Sequence, residues 1–76
     1  MVAPSNLDSL TKRCTEVLGR YIRQAERAYE LLGAIKRHPV SEEERQQLRA
    51  QRTNESLAFV EYHEVRERLF KLAEWI

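Results

Sequence analysis

Seventy-six residues suffice for one domain with a thin hydrophobic core, and folds of this size are usually stabilised by disulfides, a metal ion or a partner chain. A single cysteine, Cys14, excludes a disulfide framework, and the two histidines lack partners at metal-ligand spacing, so we expect no metal and no cofactor. Thirteen basic against twelve acidic residues exclude a strong overall field directed at nucleic acid or membrane.

The sequence contains no recognisable segment for crossing a membrane. No apolar run approaches the roughly 18 residues that a bilayer span needs. The opening stretch MVAPSNLDSL lacks both the basic and the apolar region of a signal peptide. One unpaired cysteine is typical of a reducing interior, so we expect a cytoplasmic protein.

The first predicted element is a helix over residues 6–37. Ser5 or Asn6 can cap its N-terminus, and Pro39 ends it because the residue before a proline disfavours the helical conformation. Apolar residues recur at alternating spacings of three and four, which is typical of a coiled-coil seam, with one polar position at Gln24. The seam of the first helix consists of Leu7, Leu10, Cys14, Val17, Tyr21, Gln24, Ala28, Leu31 and Ile35.

A turn over residues 38–40 leads into a second predicted helix over residues 41–75. Ser41 and Glu44 have the spacing of a capping box, in which each side chain accepts a hydrogen bond from the other residue's backbone N–H. The alternating spacing of three and four returns in this helix, where two adjacent seam positions are polar. Its seam consists of Leu48, Gln51, Glu55, Ala58, Tyr62, Val65, Leu69, Leu72 and Ile76.

Folding the chain at Pro39 joins the two seams in an antiparallel, coiled-coil-like hairpin, so the predicted fold class is all-α. If the numbers of facing residues sum to 79, the eight seam positions from Leu7 to Leu31 meet the eight from Leu72 to Leu48. The polar positions then form one layer of Gln24, Gln51 and Glu55, in which we expect Gln24 to donate a hydrogen bond to the Glu55 carboxylate. Such a layer fixes the register of a coiled coil.

The polar stretch of the second helix allows another interpretation, in which residues 51–56 break that helix. Thr53 and Asn54 both favour helix caps, so either residue can begin a third helix. A chain of three helices would fold as a monomer with its apolar side turned inward.

Outside the seam, the hairpin has one apolar and one charged side. We name the first side the apolar flank; its residues are Leu18, Ile22, Ala25, Tyr29 and Leu32 on the first helix and Phe59, Phe70 and Ala73 on the second. We name the row of Arg13, Arg20 and Arg27 on the other side the arginine ridge; Asn54, Glu61 and Arg68 lie across from it. An apolar side indicates a partner, and the sequence predicts a homodimer that closes into a four-helix bundle.

Three functions compete, because the sequence carries no catalytic, cofactor-binding or metal-binding signature. The favoured one is a non-enzymatic protein–protein interaction module, a small adaptor or regulator that presents a helical face to another protein. The second is a nucleic-acid-binding regulator that uses the arginine ridge. The third is a small enzyme at the polar layer, where Arg20, Arg27 and Arg52 would help Gln24 and Glu55 to bind a dianion, as in the helical chorismate mutases.

Cys14 and His63 lie within about one turn of each other in the predicted hairpin. A thiolate–imidazole pair is the nucleophile of cysteine hydrolases, but it also needs an orienting group and an oxyanion hole. No glycine-rich turn or helix N-terminus lies near enough to supply one. We therefore interpret Cys14 as a core residue that packs as a small hydrophobe.

Overall fold

The computed structural model describes residues 4–36 and 38–75, with the backbone alone at Pro4 and Ser5. This part of the chain forms two α-helices, α1 over Pro4–Ile35 and α2 over Glu42–Glu74. The helices pack along each other as an antiparallel hairpin that measures 58 × 14 × 14 Å. The predicted all-α fold and the two-helix hairpin are therefore confirmed.

α1 begins two residues earlier than predicted, at Pro4. Proline suits the first helical position because its missing N–H would have no intrahelical partner there and its φ angle is already helical. The predicted caps, Ser5 and Asn6, consequently lie inside the first turn of α1, and that prediction is wrong. Arg37, the predicted last residue of this helix, and Ile76, the predicted last seam residue, lie outside the described residues.

α2 begins with the predicted capping box. Ser41 has an extended backbone, and its hydroxyl accepts a hydrogen bond of 3.2 Å from the Glu44 backbone N–H. The Ser41 backbone N–H donates in return to the Glu44 carboxylate at 3.1 Å. This backbone hydrogen bond is the main reason why the pKa of Glu44 lies below its ordinary value, and His38, whose Nε2 is 3.5 Å from the carboxylate, acts in the same direction.

α2 runs without interruption through the polar stretch, so the alternative of a helix break over residues 51–56 is wrong. Thr53 does not cap a new helix; its hydroxyl donates to the backbone carbonyl of Arg49 at 3.1 Å, as threonines inside helices do. The structure accordingly shows two helices, and not three, over the residues that it describes.

The core between the helices is thin and consists of seam residues, with the flank residue Phe59 packed at its edge. Val17 is fully buried, and Val65 is nearly so. The ring of Tyr21 packs edge-on against Phe59, with 5.4 Å between centroids, and lies parallel to Tyr62 at 6.2 Å. Pairs that touch across the hairpin have residue numbers that sum to between 74 and 83, around the 79 expected from the seams.

Candidate functional site

The polar layer is built around Gln51, which is buried with 7% of its surface exposed. Its amide Nε2 donates to the backbone carbonyl of Gln24 at 2.8 Å and to the Gln24 side-chain Oε1 at 2.9 Å. The described residues contain no hydrogen bond between Gln24 and Glu55, so the predicted partner of Gln24 is corrected to Gln51. A neutral amide is buried at a lower free-energy cost than a carboxylate, and Glu55 is only half-buried.

The arginines expected around Glu55 are not gathered there. Arg52 and Glu55 line a hollow of about 270 Å³ between the helices, whereas Arg20 and Arg27 line other hollows without Glu55. This hollow is slightly smaller than the roughly 300–1,000 Å³ typical of small-molecule sites. One arginine beside a carboxylate gives weak support to dianion binding, because the carboxylate repels a dianion.

The arginine ridge is partly neutralised by α2. Arg13 Nη2 and Arg20 Nη1 both lie 3.2 Å from the same Glu61 carboxylate oxygen. These contacts place Arg13 and Arg20, two of the three ridge residues, opposite Glu61. Both arginines are half-exposed, so each ion pair contributes at most about 1 kcal/mol to stability, but together they reduce the charge that the ridge offers to a phosphate.

The apolar flank is exposed to solvent over a large part of its side chains. Ile22 and Leu32 on α1 expose 45% and 46% of their surfaces, and Tyr29 exposes 75%. Phe59 and Phe70 on α2 expose 46% and 49%. Leu18 and Ala25 are half-buried, and Ala73 is exposed. These residues share one side of the hairpin, so that side exposes several large apolar side chains that the hairpin itself does not cover.

The α2 part of this flank also carries basic residues that our sequence interpretation missed. Arg45, Arg52 and Arg66 follow the same line along α2 as Phe59, because all four residues are spaced by seven. Arg66 places its guanidinium 4.6 Å from the centre of the Phe70 ring. The seven-residue spacing of Arg45, Arg52 and Arg66 relative to Phe59 is the sequence signal that identifies these arginines as part of the flank.

Cys14 and His63 do not form a nucleophilic pair in the structure. His63 is exposed, and its ring stacks on Phe59 with 6.0 Å between centroids. Cys14 is half-buried in the seam, and no hydrogen bond within the described residues joins it to His63. No cluster of three or more potential metal ligands occurs over residues 4–36 and 38–75.

The fold and this surface define a helical hairpin with one unpartnered apolar flank. Neither α1 nor α2 combines the length and the apolar character that a membrane-spanning helix needs. Comparisons of the chain with protein-family models, with curated proteins and with solved structures found no match.

Proposed function

We propose that this chain is a cytoplasmic, non-enzymatic protein–protein interaction module, a small adaptor or regulator that binds its partners through the apolar flank. The exposure of Ile22, Leu32, Phe59 and Phe70 on one side of the hairpin carries this proposal, because large exposed apolar patches on a protein surface mark interaction sites. The two sides of the hairpin also differ. Among the described residues, ion pairs between the helices occur on the opposite side, where Arg13 and Arg20 contact Glu61.

In the absence of another protein, a second copy of the chain covers the flank and completes a homodimeric four-helix bundle. A two-fold axis brings the same surface together from both copies, so a single apolar flank is sufficient for closure. The thin core supports this assembly. Val17 is the only fully buried large side chain among the residues that the structure describes, so such a hairpin gains much of its stability from further apolar burial.

Sedimentation equilibrium of the purified chain tests this assembly at micromolar concentration. We expect twice the mass of 9.0 kDa for the natural sequence and a single-chain mass for Ile22→Glu, because that substitution buries an unpaired charge in the bundle. Val60→Glu is the matched control, since Val60 is 52% exposed and lies on the outer side of α2. A single-chain mass for the natural sequence contradicts the dimer.

Affinity capture from cell lysate tests the wider function, with and without nuclease. The natural chain and Val60→Glu should retain the same proteins, and Ile22→Glu should lose them. Retention that nuclease abolishes would instead favour the nucleic-acid-binding alternative and would contradict the proposal.

A further inference from the structure

We propose that the apolar flank binds an amphipathic helix of a second protein whose apolar stripe is bordered by carboxylates, and that this acidic helix displaces the second copy. The inference rests on the function proposed above and specifies the chemistry of the partner. The charges on the flank carry it.

The two lines of α2 residues on the flank hold basic residues and no acidic ones over residues 45–73. The first line is Arg45, Arg52, Phe59, Arg66 and Ala73, and the second is Arg49, Ser56, His63 and Phe70. On α1, the corresponding lines contain Asp8 as their only acidic residue, close to the end of the hairpin; Glu42 lies at the other end, in the first turn of α2. The α1 half of the flank is therefore mainly apolar, whereas the α2 half alternates arginines with Phe59, Phe70 and Ala73. We name Arg45, Arg49, Arg52 and Arg66 the basic border.

The arginines of this border are available to an external carboxylate. Arg49 and Arg66 have no acidic residue three or four positions away in α2, so no neighbour on the same helix can pair with them. Over the described residues, none of Arg45, Arg49, Arg52 and Arg66 lies within 4.0 Å of a carboxylate oxygen, and all four are exposed. The arginine ridge differs, because Arg13 and Arg20 are already paired with Glu61.

A second copy covers the apolar residues of the flank but meets the basic border with the same charges. Like charges brought together across an interface repel, so the homodimer is weakened at low ionic strength. An acidic helix covers the same apolar residues and gives each guanidinium a carboxylate partner, which adds charge-assisted hydrogen bonds. Nucleic acid would satisfy the arginines but would leave Leu18, Ile22 and Leu32 against a charged backbone, and we therefore favour the helix.

The two complexes should respond to salt in opposite directions. Raising the ionic strength screens the repulsion between two copies and tightens the homodimer, whereas it screens the attraction to an acidic helix and weakens that complex. A purely apolar interface would not show this reversal.

The test uses two designed helical peptides of about 21 residues, roughly 30 Å long, which cover the flank from Leu18 to Leu32. Both carry the same leucine stripe; one has glutamates along its borders and the other has lysines. Titration followed by fluorescence anisotropy of the labelled peptide should give at least about tenfold tighter binding of the glutamate peptide at low salt. Sedimentation equilibrium of the mixture should show the homodimer replaced by a complex of one chain and one peptide.

Two double variants with the same net charge test whether binding depends on where the arginines lie or only on the net charge of the chain. Arg49→Glu with Arg66→Glu reverses the border, and Arg23→Glu with Arg68→Glu reverses two exposed arginines elsewhere on the hairpin. Each reversal removes two units of charge, so both variants change from +1 to −3. We expect the border variant to bind the glutamate peptide at least about tenfold more weakly and the control to change it by less than about twofold; circular dichroism verifies that both remain helical.

The outcomes distinguish this inference from the function on which it rests. Equal binding of the glutamate and lysine peptides, or equal loss in both double variants, overturns the acidic partner and leaves the interaction module standing. A labelled DNA duplex that binds the border more tightly than the glutamate peptide also overturns it. If Ile22→Glu leaves both the dimer and the peptide complex intact, the apolar flank is not the binding surface and the proposed function fails as well.

Discussion

At the scale of single residues, Gln24 and Gln51 form the one part-buried polar contact between the helices over the residues that the structure describes. Gln51 uses its amide group for two acceptors on Gln24, one in the backbone and one in the side chain. Replacement of Gln24 by leucine removes one of these acceptors and leaves a buried N–H of Gln51 unsatisfied, whereas leucine at both positions removes the unsatisfied group as well.

We therefore predict that Gln24→Leu destabilises the hairpin by about 1–2 kcal/mol and that adding Gln51→Leu recovers most of the loss. Urea denaturation of the single and double variants gives the coupling free energy, which we expect to be about 1 kcal/mol. The same cycle with Glu55→Leu serves as the control and should give a value near zero. Strong coupling between Gln24 and Glu55 would instead support the hydrogen bond between these two residues that the sequence predicts.

Val17 is the other residue on which the hairpin depends, because it is fully buried. Val17→Ala removes two methyl groups and leaves a cavity, so we expect the free energy of unfolding to fall by about 2 kcal/mol. Val60→Ala makes the same chemical change at a position that is 52% exposed, and we expect a change within about 0.5 kcal/mol. Equal effects in thermal denaturation would mean that the core lies elsewhere.

At the scale of the helices, the capping box at the start of α2 gives a prediction that involves pH. The pKa of Glu44 is lowered in the folded chain, so the carboxylate stabilises the fold above the pKa of an unfolded glutamate. That contribution is lost as the pH falls through the lower, folded pKa. Glu44→Gln should therefore reduce the melting temperature at pH 7 and leave it nearly unchanged at pH 2.

Ser41→Ala tests the same cap from its other partner. The hydroxyl satisfies a backbone N–H in the first turn, and we expect its loss to cost about 1 kcal/mol at pH 7. Ser9→Ala is the control, because Ser9 lies exposed within α1 and away from the apolar flank. If Ser41→Ala leaves the free energy of unfolding unchanged, the first turn of α2 is frayed in solution.

The extent to which the helices could be predicted depends on the kind of signal. The capping box at Ser41 is a local pattern with one geometric solution, and it was confirmed. The cap preferences of Ser5 and Asn6 predict a helix that starts there, but Pro4 is itself suited to the first helical position and α1 begins at that residue. Thr53 likewise resembled a cap, although a threonine hydroxyl inside a helix can donate to the preceding turn.

At the scale of the whole molecule, the sequence distinguishes the apolar flank from the arginine ridge, but it does not give the charge that each side presents to solvent. Seven-residue spacing identified the arginine ridge opposite Glu61, and the structure places Arg13 and Arg20 there. The spacing alone does not show which arginines are neutralised, because that depends on side-chain contacts across the hairpin. The hydrogen-bond partner of Gln24 cannot be predicted from spacing for a similar reason. Gln24 faces both Gln51 and Glu55, and the spacing does not show which of the two it contacts.

The proposed dimer predicts that stability depends on the concentration of the chain. Because only the folded chain associates, we expect the melting temperature to rise as the protein concentration is raised from about 1 to 100 μM. The melting temperature of Ile22→Glu should be independent of concentration over the same range, and that of Val60→Glu should rise as in the natural chain. If the melting temperatures of the natural chain and of both variants do not change with protein concentration, the chain is a monomer.

The length of the hairpin affects how its assembly is measured. The radius of gyration is 17.2 Å, whereas a compact domain of this length has a value of about 11 Å. A rod of 58 × 14 × 14 Å meets more friction in solution than a sphere of equal mass, so it diffuses slowly and leaves a gel-filtration column early. A single chain would thus elute where a globular protein of greater mass elutes, and elution volume would count an elongated monomer as a dimer.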